Sequence, residues 1–194
     1  MTFSRIYELA GVRRLPVDPV DAARALGVKV VSYKAAAEFF DISLSELYSR
    51  CPLGFSFKEG GHYCIALNGN ACGEQRRRFT AAHELAHCIL KHPDNGAPTK
   101  QQEREAEKFA AELLAPLVVL HDCGVVSAWE TARICGISIQ AAEIRLSELA
   151  ERERHGFSLT EDERRVAEIF RAFTESFSIP SKAIYRKNLY ISIH

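Results

Sequence analysis

Apolar residues along the chain fall into short stretches whose spacing alternates between the helical and the extended period. Residues 3–12 place Phe3, Ile6, Leu9 and Ala10 on one helical face. LPVDP breaks that segment, Asp18 and Pro19 form a cap-and-first-turn signature, and Gly27 reads as a stop. VKVVSY (28–33) is β-branched and reads as a strand. Residues 35–49 read as helix in two pieces, with Asp41 or Ser43 restarting the second. GFSF (54–57) and HYCIAL (62–67) flank KEGG, which predicts a β-hairpin.

Beyond the hairpin the pattern becomes helical. Residues 74–91 carry an apolar stripe through Phe79, Ala82, Ala86, Ile89 and Leu90. Residues 100–114 follow, opened by a Thr99/Gln102 capping box and with a core face of Ala106, Phe109, Ala110, Leu113 and Leu114. Residues 127–154 read as two helices around Gly136, capped by Ser127 and Ser138, with Ile134, Ile137, Ala141, Ile144, Leu146 and Leu149 as core. Thr160 and Glu163 open a last helix over 161–177, striped by Val166, Ile169, Phe170, Phe173 and Phe177. The tail SKAIYRKNLYISIH reads as a terminal strand or arm.

The chemistry is concentrated in the 74–91 helix. His83, Glu84 and His87 stand in the order H-E-x-x-H. Residues four apart differ by about 40° in azimuth, so both imidazoles leave one face and can hold one metal ion. Zinc suits such a site, because three protein ligands leave a position open for water. Glu84 lies where a general base for that water is needed. Arg76, Arg77 and Arg78 read as a solvated face.

The helix after it supplies a third ligand. With Ala106 at zero, Glu103 lies at about +60°, Glu107 at about +100° and Glu105 at about −100°. Glu103 is therefore inside the core stripe, where a carboxylate is costly unless paired or metal-bound. That selects Glu103 as ligand and leaves Glu105 on the far flank. Glu107, one turn on, fits an outer partner of a ligand histidine. His62, Tyr63, Tyr48, His92 and His121 remain open as groups that could stabilise a transition state.

Composition narrows the setting. The 194 residues are 47% hydrophobic and 26% charged, with 25 basic and 25 acidic side chains, so no general affinity for nucleic acid or anionic membranes is expected. No apolar run approaches a membrane span and the N-terminus lacks an export signal, which points to the cytoplasm. The six cysteines form no C-x-x-C pair and read as free or buried thiols. Cys88, about 100° from His87, receives no role.

Taken together, RRRFTAAHELAHCILKH and EREAEKFAAELLAP resemble the two motifs of the ImmA/IrrE family of metallopeptidases, over roughly residues 25–150. The resemblance implies an α+β, zincin-like metallopeptidase core with a small antiparallel sheet, followed by helix-turn-helix-like and C-terminal helices. We divide the chain accordingly into a core, 1–124, and a helical region, 125–194. It implies Zn²⁺ held by His83, His87 and Glu103, with Glu84 catalytic. It also implies a regulatory endopeptidase whose substrate is a helix-turn-helix repressor of a mobile element or stress response. Ala86 replaces the family's usual Gly, Glu107 stands where Asn or Asp is common, and Ala115 replaces Met.

The 127–154 segment itself looks like a helix-turn-helix. Its second helix mixes Arg145, Arg152 and Arg154 with Glu143, Glu148, Glu151 and Glu153, a poor phosphate-binding face, so packing or partner docking is favoured over DNA contact. The competing readings are a DNA- or protein-binding transcription regulator, or a toxin–antitoxin component, with a non-catalytic metal site.

Overall fold

Two glycines make the hairpin turn. Gly60 and Gly61 both have positive φ, 56° and 83°, which side chains resist and a two-residue hairpin turn requires. They join β2 (Gly54–Glu59) to β3 (His62–Leu67) in antiparallel register, Ser56 opposite Ile65. The computed structural model describes residues 1–69, 73–92 and 97–177, so the terminal segment 181–194, read as strand or arm, lies outside the described residues.

The sheet is mixed rather than wholly antiparallel. β1 (Lys29–Ser32) lies parallel to β3, giving the order β1-β3-β2. The parallel pairing follows from the crossover, since α3 (Tyr33–Phe40) and α4 (Leu44–Arg50) separate β1 from the hairpin. Ser43 caps α4, while Asp41 ends α3 in the left-handed conformation, so the restart is at Ser43. Among the described residues, β1 and β2 are the two edges.

Strand alternation gives the sheet two buried faces. Cys64 and Ala66 join Tyr33, Ala36, Ala37, Leu47 and Phe57 beneath α3 and α4. Ile65 faces the other way, into the main core with Ala82, Leu85 and Ala86 of α5 (Glu74–Leu90). Gly54 permits the close approach of α5 to β2. A Cβ there would stand 2.7 Å from Thr80 Cγ2 and 3.1 Å from the Ala66 carbonyl oxygen.

The remaining helices complete the main core. α1 (Phe3–Leu9), α2 (Pro19–Ala25), α6 (Lys100–Leu114), α7 (Leu117–Cys123), α8 (Ala128–Cys135), α9 (Ile139–Arg154) and α10 (Glu161–Glu175) all contribute to one continuous buried cluster. The expected caps form: Asp18 with Pro19, the Thr99/Gln102 and Thr160/Glu163 boxes, Ser127 and Ser138.

Several side chains face differently from the periodic expectation. On α1, Tyr7 is fully buried and Leu9 is exposed. Tyr7 donates its hydroxyl to the Glu112 and Leu113 carbonyls and meets the Phe170 ring edge-on. A phenol with a satisfied hydroxyl can go where α1 meets α6 and α10, and Leu9 turns outward. Phe79, Leu90 and Ile144 are exposed, because no helix among the described residues covers those flanks of α5 and α9.

Arg78 departs from the solvated face assigned to it. Its guanidinium donates to the Val17, Cys135 and Gly136 carbonyls and ties the start of α5 to the α8–α9 turn. No helix among the described residues is long and apolar enough to cross a membrane.

Candidate metal centre

The geometry starts with α5. His83 and His87 leave the same face, and their Nε2 atoms are 3.1 Å apart. α6 packs against α5 and brings Glu103 to them, 3.2 Å from His83 Nε2 and 3.6 Å from His87 Nε2. These three residues form a group able to hold a metal ion, each offering one ligand atom.

Burial sets the protonation of the site. His87 is buried, which pushes its pKa down to about 4, and the neighbouring His83 adds to the shift. It is therefore neutral around pH 7, the form that ligates a metal. Burial pushes the Glu84 carboxyl up, while hydrogen bonding to Ser56 and the nearby His83 pull it back. Ser56 is on the sheet face toward α5, between Phe55 and Phe57 on the opposite face, so strand alternation aims it at Glu84. Ser56 has no distinctive sequence context, and only the β2 register reveals it.

A cleft of about 350 Å³ opens over this group, lined by Phe55, Ser56, Phe57, Tyr63, His83, Glu84, His87 and Glu103, among others. A second hollow, about 540 Å³, shares Cys51, His83 and Glu84 with it and extends past Arg50, Arg76 and Phe79. Residues of β2 line both hollows, Phe55, Ser56 and Phe57 the first and Gly54 the second.

The outer partners differ from expectation. Glu107, expected behind a ligand histidine, is exposed and lines a separate hollow with Phe79 and Ile144 instead. The partner of His87 is His92, whose Nδ1 is 2.9 Å from His87 Nδ1. His92 Nε2 in turn lies 3.2 Å from Glu105 Oε2, and Gln101 Nε2 donates to Glu105 Oε1 at 2.9 Å. Glu105, set aside on the helical wheel, therefore faces the site through an intermediate ring. The wheel measures direction from the α6 core stripe and cannot register a side chain arriving from the α5 C-terminus.

The other candidates disperse. Tyr63 lines the cleft, with Lys58 over its ring at 4.9 Å. Tyr48 stacks on Tyr33, His62 is exposed in the hairpin, and His121 stacks on Phe157. Cys88 is buried, which pushes its thiol up to about 12 and leaves it inert at neutral pH. Cys64, Cys123 and Cys135 are buried, and Cys51 is half-buried.

Two histidines one turn apart, a carboxylate from the next helix and a half-buried glutamate line the cleft. The chain belongs to the Peptidase M78 family: the IrrE N-terminal-like domain matches residues 24–147, more than half of its length. It is accordingly a metallopeptidase of the IrrE/ImmA type. No curated protein matches the chain significantly.

Proposed function

We propose that this protein is a zinc-dependent endopeptidase acting in the cytoplasm, whose substrate is a helix-turn-helix repressor of a mobile element or stress response. The observation that carries the zinc reading is the convergence of His83, His87 and Glu103. Zinc takes nitrogen and oxygen ligands at about 2.0–2.2 Å, so neighbouring ligand atoms of a tetrahedral site stand about 3.3–3.5 Å apart. The separations here, 3.1 Å between the two Nε2 atoms, 3.2 Å from His83 to Glu103 Oε2 and 3.6 Å from His87 to Glu103 Oε1, are of that order. Two imidazole nitrogens and one carboxylate oxygen are also the donor set of a catalytic zinc site with one position left open.

When bound, the metal supplies Lewis-acid polarisation of the scissile carbonyl and acidification of the attacking water. The chain's own residues do the rest. Glu84 accepts the proton of that water and passes it to the leaving amine. Its burial raises its affinity for that proton, and Ser56 fixes the carboxylate's orientation. β2, an edge strand beside the cleft, offers unpaired backbone groups along which an extended substrate segment can add as a further strand.

Two features favour cleavage over direct DNA binding. A site devoted to structure has no use for a half-buried carboxylate at Glu84. The arginines of the helix-turn-helix-like segment are also engaged within the fold. Arg145 is buried and bonded to the Ala115 carbonyl, Glu112 and Glu148, and Arg152 pairs with Glu163. That supports a packing role for 127–154.

The test uses the repressor encoded beside this gene, incubated with the full chain and followed on a gel. Glu84→Gln should retain zinc and reduce cleavage by about 10²–10⁴-fold, since an amide cannot take the proton. Relief of repression by Glu84→Gln with the repressor intact would overturn the peptidase mechanism and leave a binding role.

A further inference from the structure

We propose that His92 and Glu105 are positioning residues for the metal, a hydrogen-bonded chain that fixes the tautomer and ring orientation of His87. This rests on the metal reading of His83, His87 and Glu103 above and extends it to residues outside the ligand set.

The chain of contacts fixes its own protons from both ends. Glu105 is a carboxylate and can only accept, so His92 carries its hydrogen on Nε2 and donates across 3.2 Å. With its one ring hydrogen on Nε2, His92 presents a lone pair at Nδ1, 2.9 Å from His87 Nδ1. His87 must therefore carry its hydrogen on Nδ1, and its remaining lone pair is on Nε2. That nitrogen is the one facing His83 and Glu103. With one hydrogen on the His92 ring, this arrangement satisfies the His87–His92–Glu105 contacts and leaves the His87 ligand nitrogen free.

The turn that ends α5 builds this arrangement. Lys91 adopts the left-handed conformation, φ 56°, and reverses the chain within one residue. The His92 backbone N–H bonds back to the His87 carbonyl at 3.0 Å. His92 is thus joined to His87 twice, by backbone and by ring, and its ring is buried. α6 then supplies both acids. Glu103 meets the imidazoles directly and Glu105, two residues on, reaches His92. Gln101 holds Glu105 from one turn earlier.

The two ligand histidines are consequently unequal. Among the described residues His83 Nδ1 is buried without a hydrogen-bond partner, whereas His87 Nδ1 is held. Outer partners of a ligand histidine keep the ring oriented and raise its basicity, and their loss commonly weakens metal binding about 10–100-fold.

The experiment measures zinc affinity of the apo full-length protein by competition with a chromophoric chelator. His92→Ala should weaken binding about 10–100-fold. Glu105→Ala should weaken it less, Glu105→Gln should fall between Glu105→Ala and wild type because it keeps an acceptor, and Glu107→Ala should match wild type. In the zinc-loaded wild type, ¹⁵N imidazole NMR should show a slowly exchanging His87 Nδ1–H that disappears in His92→Ala. Thermal melting of the apo proteins separates this from a general packing defect, and the exposed Glu105 variants serve if His92→Ala folds poorly. Wild-type zinc affinity in folded His92→Ala and Glu105→Ala would overturn the proposal alone. A wild type that takes up no zinc would overturn the metal reading and this proposal with it.

Discussion

Two helix pairs in this molecule carry clustered charged and polar side chains, and they use them in opposite ways. In the α8–α9 region Arg145 is matched with acceptors. Arg145 donates its Nε and Nη2 to the Ala115 carbonyl, at 2.9 and 2.7 Å, and pairs with Glu112 and Glu148. In the α5–α6 region the Nε2 atoms of His83 and His87 and the Glu103 carboxylate converge within 3.6 Å. They share at most one hydrogen between the two rings, so lone pairs are left unmatched. A cluster of matched donors and acceptors is finished as structure. A cluster with an excess of lone pairs is complete only with a cation. That distinction separates scaffold from chemistry more sharply than net charge or exposure does.

The comparison can be broken most severely at Arg145. Arg145→Ala strands the buried Glu112 carboxylate, which burial already pushes up and Arg145 holds down, and frees the Ala115 carbonyl. It should cost about 3–5 kcal/mol in a urea titration while leaving zinc content of the folded fraction unchanged. A fully stable Arg145→Ala that lost binding to operator DNA would instead make α9 a reading helix.

At the metal centre the contrast is sharpened by separating the glutamates of α6. Glu103→Ala removes a ligand and should weaken zinc binding by more than the roughly 100-fold typical of outer partners. Glu107→Ala should change neither zinc affinity nor turnover. Comparable zinc loss in both, read in the same chelator competition, would show that the assigned register of α6 is wrong.

The smallest effect is expected where α9 meets α10. Arg152 and the capping contacts of Thr160 hold the Glu163 carboxyl down to about 2. A depressed carboxylate contributes stability fully above its unfolded value near 4.5, and that contribution fades as pH falls toward 2. Glu163→Gln should therefore cost about 1 kcal/mol at pH 7, a cap and partly solvated pair, and almost nothing at pH 2. Urea midpoints at the two pH values test it, and a constant difference across that range would count against the assigned pair.

The sequence by itself determined what depends on neighbours within one helix or one turn. The shared face of His83 and His87, the capping boxes at Thr99 and Thr160, the hairpin at Gly60–Gly61 and the inward azimuth of Glu103 are all local. They follow from a 3.6-residue period and from side chains bonding the backbone three residues away. Residue order alone was also enough to suggest the family.

Tertiary structure decided which element each remaining face would meet. The same helical wheel that singled out Glu103, which lies 3.2 Å from His83 Nε2, set Glu105 on the far flank, because the α5 C-terminal reversal that delivers His92 belongs to another segment. Arg145 read as part of a mixed surface until α9 packed over Ala115, and Arg78 as solvated until the α8–α9 turn came within its reach. β1 could not be seen to run parallel to β3, since strand pairing joins residues more than thirty positions apart. Periodicity fixes the direction of a side chain relative to its own axis; only the packing of axes against one another fixes its partner.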